Sequence, residues 1–504
     1  MDGQQNLKGK AVSSAIWAAV QKYTVFIITF ISDIILARLL SPYDFGCIGI
    51  LLVFTLLAET IIDGGFGSAL IQKKRPTQED YSTIFFWNMS MSLVLYGVLF
   101  LSAPFIASYY KIPELSILLK IQGLILFAYS FNIVQWNQLK KKLDFKTLAI
   151  ITVICQIVAF VVALVMAYSG FGVWALVAKN LISAVLSSML LWFVVKWRPL
   201  LVFSWTSFKS LFSFGFFMFL SSIVTTISTR IQDLLIGKVY GASDLGYFTK
   251  ASGAQHMATT SLSQVLEQIT LPIYVEAQDN LPVLQNMVKR MTVTLAYISF
   301  PLVFILMLVA KPFFVILYSE KWLISVPYFQ VLCIAGMAQC LQSVNLQTIN
   351  AIGRGDVSLR WTLIKRIMGI GFVVGGLALW GMKGIILGVI INAWFAYFVN
   401  MALVSKYVGY KWDKQLLDLL PVTLASVAAA LISYFAISYF NLNMYIDGLL
   451  KLVLYLVIYL SWSLIFKPDA SEYFKTILIP LVKKMLEKFH LCKKMASNEL
   501  DNRE

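Results

Sequence analysis

Charge is scarce in this chain. Asp, Glu, Lys and Arg make up 13% of its 504 residues, about half of the roughly 25% typical of soluble globular domains, and that excludes an ordinary water-soluble fold. Histidine is nearly absent: the two residues, His256 and His490, lie far apart in sequence. The five cysteines (Cys47, Cys155, Cys333, Cys340 and Cys492) form no CxxC pair, so neither a disulfide framework nor a metal site has the ligands and spacing it needs. Neither GxxxxGKS/T nor HExxH occurs, which leaves no signature of an ATP-hydrolysing loop or a zinc peptidase. Long polar connections are also lacking. The longest is the tail from Lys467 to Glu504, whose amphipathic run Phe474–Leu491 carries Lys483, Lys484 and Lys488 and is expected to lie on the inner membrane surface. With no sizeable domain outside the apolar segments, any chemistry must occur within a helix bundle.

Apolar residues are plentiful instead, at 59%. Between residues 8 and 467 they form about fourteen stretches of roughly twenty residues, the length that spans a bilayer core as an α-helix. The expected fold class is therefore an all-α polytopic membrane protein. The Lys and Arg residues concentrate in alternate gaps, for example Lys73–Lys74–Arg75, Lys140–Lys141–Lys142, Lys289–Arg290 and Lys406/Lys411/Lys414. By the positive-inside rule these gaps and both termini are cytoplasmic. Lys365–Arg366 read as the inner boundary of the eleventh span. The net charge of +16 is dispersed over short loops, which fits topology and anionic headgroups, and no nucleic-acid partner is expected. The first span lacks a signal peptide's short apolar core and cleavage site, so it reads as a mature helix.

The chain repeats itself at an offset of 200: Thr29, Asp33, Arg38, Asp44 and Gly46 meet Thr229, Asp233, Lys238, Asp244 and Gly246. A weaker echo pairs GVWALVAKN (172–180) with GIILGVIIN (384–392). Six helices per repeat preserve orientation, so two lobes related by an axis along the membrane normal are expected. Residues 1–200 form the first lobe and 201–410 the second; 411–467 hold two further spans, and 468–504 form a basic, partly amphipathic tail. Gly369, Gly371, Gly375, Gly384 and Gly388 fall inside apolar spans and read as helix-packing positions.

A charge at mid-bilayer costs about 2.5–3.5 kcal/mol on insertion scales, so it normally faces a cavity or a partner. Lys22, Thr29 and Asp33 share one face of the first span. Ser222, Thr226, Thr229 and Asp233 form the corresponding stripe on the seventh, with Arg230 at its margin. Lys120 and Lys179 lie in the outer halves of the fourth and sixth spans. Substrate binding is expected from Lys22, Arg230, Lys179, Lys120, Thr29 and Thr229; gating or coupling is expected from Asp33, Asp233, Glu59, Asp63 and Glu267. No resident cofactor is expected, and a coupling cation, sodium or proton, is the one small species these carboxylates would hold. A cavity biased towards positive charge suits a large anionic amphiphile, with Arg and Lys on a pyrophosphate.

The strings LARLLSPYDFG (36–46), IDGGFGSALIQKK (62–74), QLKKKLDFK (138–146), GFGVWALVA (170–178) and DLLIGKVYGASDLGYFTKA (233–251) resemble the WzxC/TuaB-like branch of the Wzx polysaccharide flippases. The resemblance implies the multidrug/oligosaccharidyl-lipid/polysaccharide exporter superfamily, a V-shaped two-lobed fold and a bacterial inner-membrane location. It also implies passage of undecaprenyl-pyrophosphate-linked oligosaccharide to the periplasmic leaflet by alternating access, with polysaccharide polymerase machinery as a partner. Lys22 and Arg230 match the cationic pyrophosphate-holding residues of such families by helix and character. Two alternatives stay open at this point. One is another transporter of the superfamily, moving a peptidoglycan precursor or a drug; the other is a membrane-embedded polymerase or glycosyltransferase, which the short outer loops disfavour.

Overall fold

The computed structural model describes residues 2–440, 442–466 and 468–473, with the side chains of all of these except 2–13, 15, 16, 214, 260–269 and 272. The amphipathic run expected at Phe474–Leu491 lies outside the described residues. Every regular element described is helical, as expected where lipid offers the backbone no hydrogen-bond partners. The first elements are α1 (Asp2–Leu39), α2 (Pro42–Asp63), α3 (Phe66–Gln72), α4 (Gln78–Tyr110), α5 (Glu114–Gln122), α6 (Ile125–Lys141), α7 (Phe145–Tyr168) and α8 (Val173–Val194). There follow α9 (Trp205–Val239), α10 (Ala242–Glu276), α11 (Leu281–Leu308), α12 (Ala310–Tyr318), a single 3-10 turn at Glu320–Trp322, and α13 (Ser325–Ala351). The series ends with α14 (Gly355–Val408), α15 (Trp412–Ser438), α16 (Met444–Phe466) and the short α17 (Asp469–Tyr473).

Among the described residues, eleven helices are long and apolar enough to cross a membrane, or twelve when the bent pair Trp205–Ser213 and Gly215–Val239 is one span. The expected fourteen differ in two places. α14 is 54 residues long and joins two apolar runs across a break at Trp380 and Gly381, and α10, the expected eighth span, is not among the helices that qualify. The break in α14 is a reversal. Gly376 and Gly384 would be about 12 Å apart along a straight helix, yet a Cβ on either would overlap the other's carbonyl. Gly371 and Gly375 face open space, so the close glycine contact uses Gly384, as expected, with Gly376 as its partner.

Helix boundaries follow local chemistry. Ser41 and Asp44 form a capping box at the start of α2 with Pro42 in its first turn, and Thr77 with Asp80 form another at α4. Each box satisfies backbone N–H groups that the helix leaves open. Gly64 ends α2 and Gly409 ends α14, both left-handed, a conformation that favours glycine. Large apolar side chains such as Leu101, Phe105, Phe193 and Ile465 are exposed, which suits contact with lipid.

The chain resolves into two compact units. One comprises residues up to Lys250 with Val315–Ser325 and Arg366–Ile385; the other comprises Ala251–Phe314, Val326–Lys365 and the chain from Ile386. In the second unit Tyr274, Leu284, Val288, Leu295, Val344 and Val404 share a buried cluster. Its buried and half-buried charges include paired or hydrogen-bonded ones: Lys289 pairs with Asp418 at 2.8 Å, Lys451 with Asp447 at 2.7 Å, and Lys365 Nζ donates to Asn400 Oδ1 at 2.6 Å. Lys365 is thus a buried side chain ten residues inside α14.

In the first unit the starts of α2 and α10 meet backbone to backbone. A Cβ on Gly46 would overlap the Ala242 carbonyl, and a Cβ on Gly246 would overlap the Pro42 carbonyl. The contact is reciprocal and joins residues that the sequence offset of 200 makes equivalent, the pattern of a twofold relation. Gly46→Val should therefore force α2 and α10 apart and destabilise the protein by about 1–3 kcal/mol, the usual cost of overpacking. Gly97→Ala, at a glycine with nothing near its missing side chain, should be neutral or stabilising. Thermal unfolding of the two purified variants checks both.

Candidate functional site

The most deeply buried basic residue among those described in the first unit is Lys250, 4% exposed on the first turns of α10. Its Nζ lies 2.7 Å from Asp33 Oδ1 on α1, over the Phe45 ring at 3.9 Å and near the Tyr318 and Trp322 rings at 5.0 and 5.2 Å. A desolvated ammonium needs such compensation: the carboxylate supplies charge and hydrogen bonding, and the ring faces supply cation–π attraction. Around this pair the end of α1 is held by backbone contacts. Trp322 Nε1 donates to Ala37 O at 2.9 Å and Lys321 Nζ to Leu40 O at 2.6 Å, while Arg38 donates to the Ile316 and Leu317 carbonyls. Burial pulls the Lys321 pKa below the ordinary lysine value, and the Asp44 carboxylate partly opposes the shift.

Lys179 on α8 donates to Ser32 Oγ at 2.7 Å, so it reaches α1 one residue before Asp33. Sequence spacing had brought Lys179 and Asp33 into the candidate set separately; the fold joins them and adds Lys250. Nothing local in the sequence pairs Asp33 with a residue 217 positions away, so Lys250 was missed. The signal that existed was a lone lysine within an otherwise weakly polar helix start.

On α9, Arg230 pairs with Asp233 at 3.2 Å one turn along the helix, and Asp233 is 4% exposed. The Thr229 hydroxyl, exposed, donates back to Thr225 O at 2.9 Å, and Thr226 Oγ1 lies 3.3 Å from Thr60 on α2. Ser228 Oγ donates to the Arg366 carbonyl at 3.0 Å. Arg366, half-buried eleven residues into α14, therefore packs beside α9 at Ser228, a neighbour that no spacing in the chain indicated. Lys22 and Thr29 are exposed on α1. Among the described residues, neither Lys22 nor the Arg366 guanidinium has a carboxylate within ion-pair distance.

The remaining candidates separate. Lys120 lies over the Phe100 ring at 4.6 Å, on α5 and away from the α1 and α9 stripes. Glu59 is half-buried on α2, with no hydrogen bond among the described residues. Asp63, one turn further, accepts from the Gly67 backbone N–H at 3.3 Å and opens on a polar cavity of about 430 Å³ between α2, α3, α6 and α8. The Glu267 side chain lies outside the described residues.

A bundle of helices of membrane-spanning length and apolar composition defines a polytopic membrane protein. Its fold is of the MATE and MurJ type: it resembles the solved structure titled "Lipid II flippase MurJ, inward closed conformation" with a TM-score of 0.72, over 90% of this chain and 99% of that one, at 16% identity. The chain belongs to the family described as polysaccharide biosynthesis protein, whose model matches residues 35–327. It is 28% identical over 352 residues to the teichuronic acid biosynthesis protein TuaB of Bacillus subtilis (strain 168), covering 69% of this chain and 73% of the relative. It is 23% identical over 440 residues to the lipopolysaccharide biosynthesis protein WzxC of Escherichia coli (strain K12), covering 85% and 88%. The chain is thus a multi-pass membrane protein of bacterial polysaccharide export, and its relatives are transport proteins, not enzymes.

The Lys250 arrangement carries a stability prediction. Asp33→Asn should leave a buried ammonium uncompensated and destabilise the protein by about 3–5 kcal/mol, whereas Asp33→Asn with Lys250→Met should recover most of the loss. A thermal-unfolding double-mutant cycle on the purified variants reads this directly.

Proposed function

We propose that the chain carries an undecaprenyl-pyrophosphate-linked oligosaccharide repeat unit from the cytoplasmic to the periplasmic leaflet for polysaccharide assembly. In this reading fourteen spans form two six-helix lobes, residues 1–200 and 201–410, followed by two further helices. The lobes alternate access to a cationic cavity, and the termini are cytoplasmic. The reciprocal Gly46–Ala242 and Gly246–Pro42 contacts at an offset of 200 support the lobes, because a twofold relation generates such pairs.

The observation that carries the substrate class is the charge balance within the helices. Asp33, Asp233, Asp418 and Asp447 each face a basic partner. Lys22 and Arg366 have no carboxylate within ion-pair distance among the described residues, and Lys179 donates to the Ser32 hydroxyl beside Asp33. The surplus is positive, and uncompensated cations in a membrane interior favour an anionic headgroup over a cationic drug. Arg offers a bidentate fork to a pyrophosphate and Lys a compact charge. One observation favours coupling to a cation as well: Glu59, half-buried without a partner among the described residues, is the carboxylate such an ion would need.

In vesicles carrying a fluorescent undecaprenyl-pyrophosphate oligosaccharide, Lys22→Ala with Arg230→Ala should lower transfer at least about tenfold, since a hydrogen bond to a charged group contributes about 1.5–3 kcal/mol. Arg366→Ala should do the same without disturbing an ion pair. The folded protein should remain in the membrane in each case. Normal transfer by both variants would remove the cationic site.

A further inference from the structure

The cavity at the Asp63 end of α2 is not accounted for by a pyrophosphate site. Its volume of about 430 Å³ falls in the range of small-ligand pockets, about 300–1,000 Å³. Its wall carries one carboxylate, Asp63, and one ammonium, Lys140, which do not close on each other as an ion pair. An anion entering would meet Asp63, and a cation would meet Lys140. A neutral ligand meets neither penalty, and it can use both groups as hydrogen-bond partners.

The other groups fit the same ligand. Asn137 is 7% exposed, lines the cavity and makes no hydrogen bond among the described residues, although buried amides normally find partners. Asn132, also in the wall, is oriented by donation from Nδ2 to Ser188 Oγ at 3.2 Å, so its oxygen remains available as an acceptor. Trp136 contributes an indole within the same wall, with Lys140 Nζ 5.7 Å from its ring centre. Gly67 keeps the space open: a Cβ there would lie 2.8 Å from Asp63 Oδ1 and 3.1 Å from Asn137 Nδ2.

We propose that this pocket, built by Asp63, Asn132, Trp136, Asn137 and Lys140 around Gly67, is a subsite for a neutral sugar ring. A pyranose presents vicinal hydroxyls, which suit a carboxylate and amides, and a C–H face, which suits an indole. Under the flippase reading, on which the source of the sugar rests, the ring belongs to the oligosaccharide of the lipid-linked substrate. The subsite would select among sugars, while cations elsewhere hold the shared pyrophosphate.

The test uses the full chain in lipid nanodiscs and saturation-transfer NMR with glucose, galactose and N-acetylglucosamine as probes. At least one should receive saturation from the protein. Trp136→Ala and Asn137→Leu should each weaken its apparent affinity about tenfold, as loss of a ring contact or a buried hydrogen bond does. Gly67→Ala should abolish binding, and Gly97→Ala, on α4 outside the pocket, should leave it unchanged. Trp136→Phe, which keeps a ring, should retain most of the binding and serves if the alanine variant does not fold. No transfer to any of the three sugars, transfer that survives Gly67→Ala and Asn137→Leu, or displacement of the sugar by inorganic pyrophosphate or sodium ions would overturn the proposal. Sugar binding in the pocket without transfer of the lipid-linked oligosaccharide would instead leave the subsite standing and remove the flippase reading. Transfer of the lipid without sugar binding would do the reverse.

Discussion

A charge taken out of water must be met by something else, and the first compact unit is organised around one such charge. The Lys250 ammonium is buried among Asp33, Phe45, Tyr318 and Trp322. To supply that environment, α1, α2, α10, the end of α12 and the turn after it must converge on one point. The convergence brings the start of α2 against the start of α10, where two glycines on equivalent positions let carbonyls and Cα atoms touch. A side chain at either glycine would push the helices apart and withdraw Phe45 from the ammonium. Ion pair, ring cluster and glycine contact therefore depend on one another, and the protein gains from them a fixed point where α1 and α10 meet.

The same accounting of charge runs through the other helices. Asp233, Asp418 and Asp447 are each neutralised by a neighbouring Arg or Lys. Lys22 and Arg366 have no such neighbour among the described residues. A transporter needs this separation. Neutralised pairs carry no net charge, and two of them, Lys250–Asp33 and Lys289–Asp418, join one helix to another; uncompensated groups are the ones a substrate could engage and release. Arg230 stands between the two roles, half-exposed and yet held by Asp233. Its guanidinium has more donors than one carboxylate can occupy, which leaves some for an anion.

The apolar run lengths made the all-α polytopic class legible, because a bilayer imposes a length on any helix that crosses it. The offset of 200 was legible because polar residues recur at matching places, and the fold turns two of those places, Gly46 and Gly246, into a reciprocal contact. The sequence could not reveal which charges meet. Asp33 was a plain candidate, but its partner is 217 residues away and only the packing joins them. Lys365 and Arg366 read as a boundary because adjacent basic residues commonly mark one; what they touch came only from the packing, which buries Lys365 on Asn400 and sets Arg366 beside Ser228. The Asp63 cavity was half visible. Its carboxylate drew attention as a cation ligand, while the opposing Lys140 and the amides of Asn132 and Asn137 come from a helix distant in sequence.

Gentle extraction of the protein from its own membrane, followed by native mass spectrometry, tests the central claim that its uncompensated cations hold an anionic lipid-linked sugar. A retained adduct with the mass of a polyprenyl pyrophosphate bearing an oligosaccharide is expected, lost when Lys22 and Arg230 are both alanine. Absence of that lipid together with saturable binding of small organic cations would contradict it.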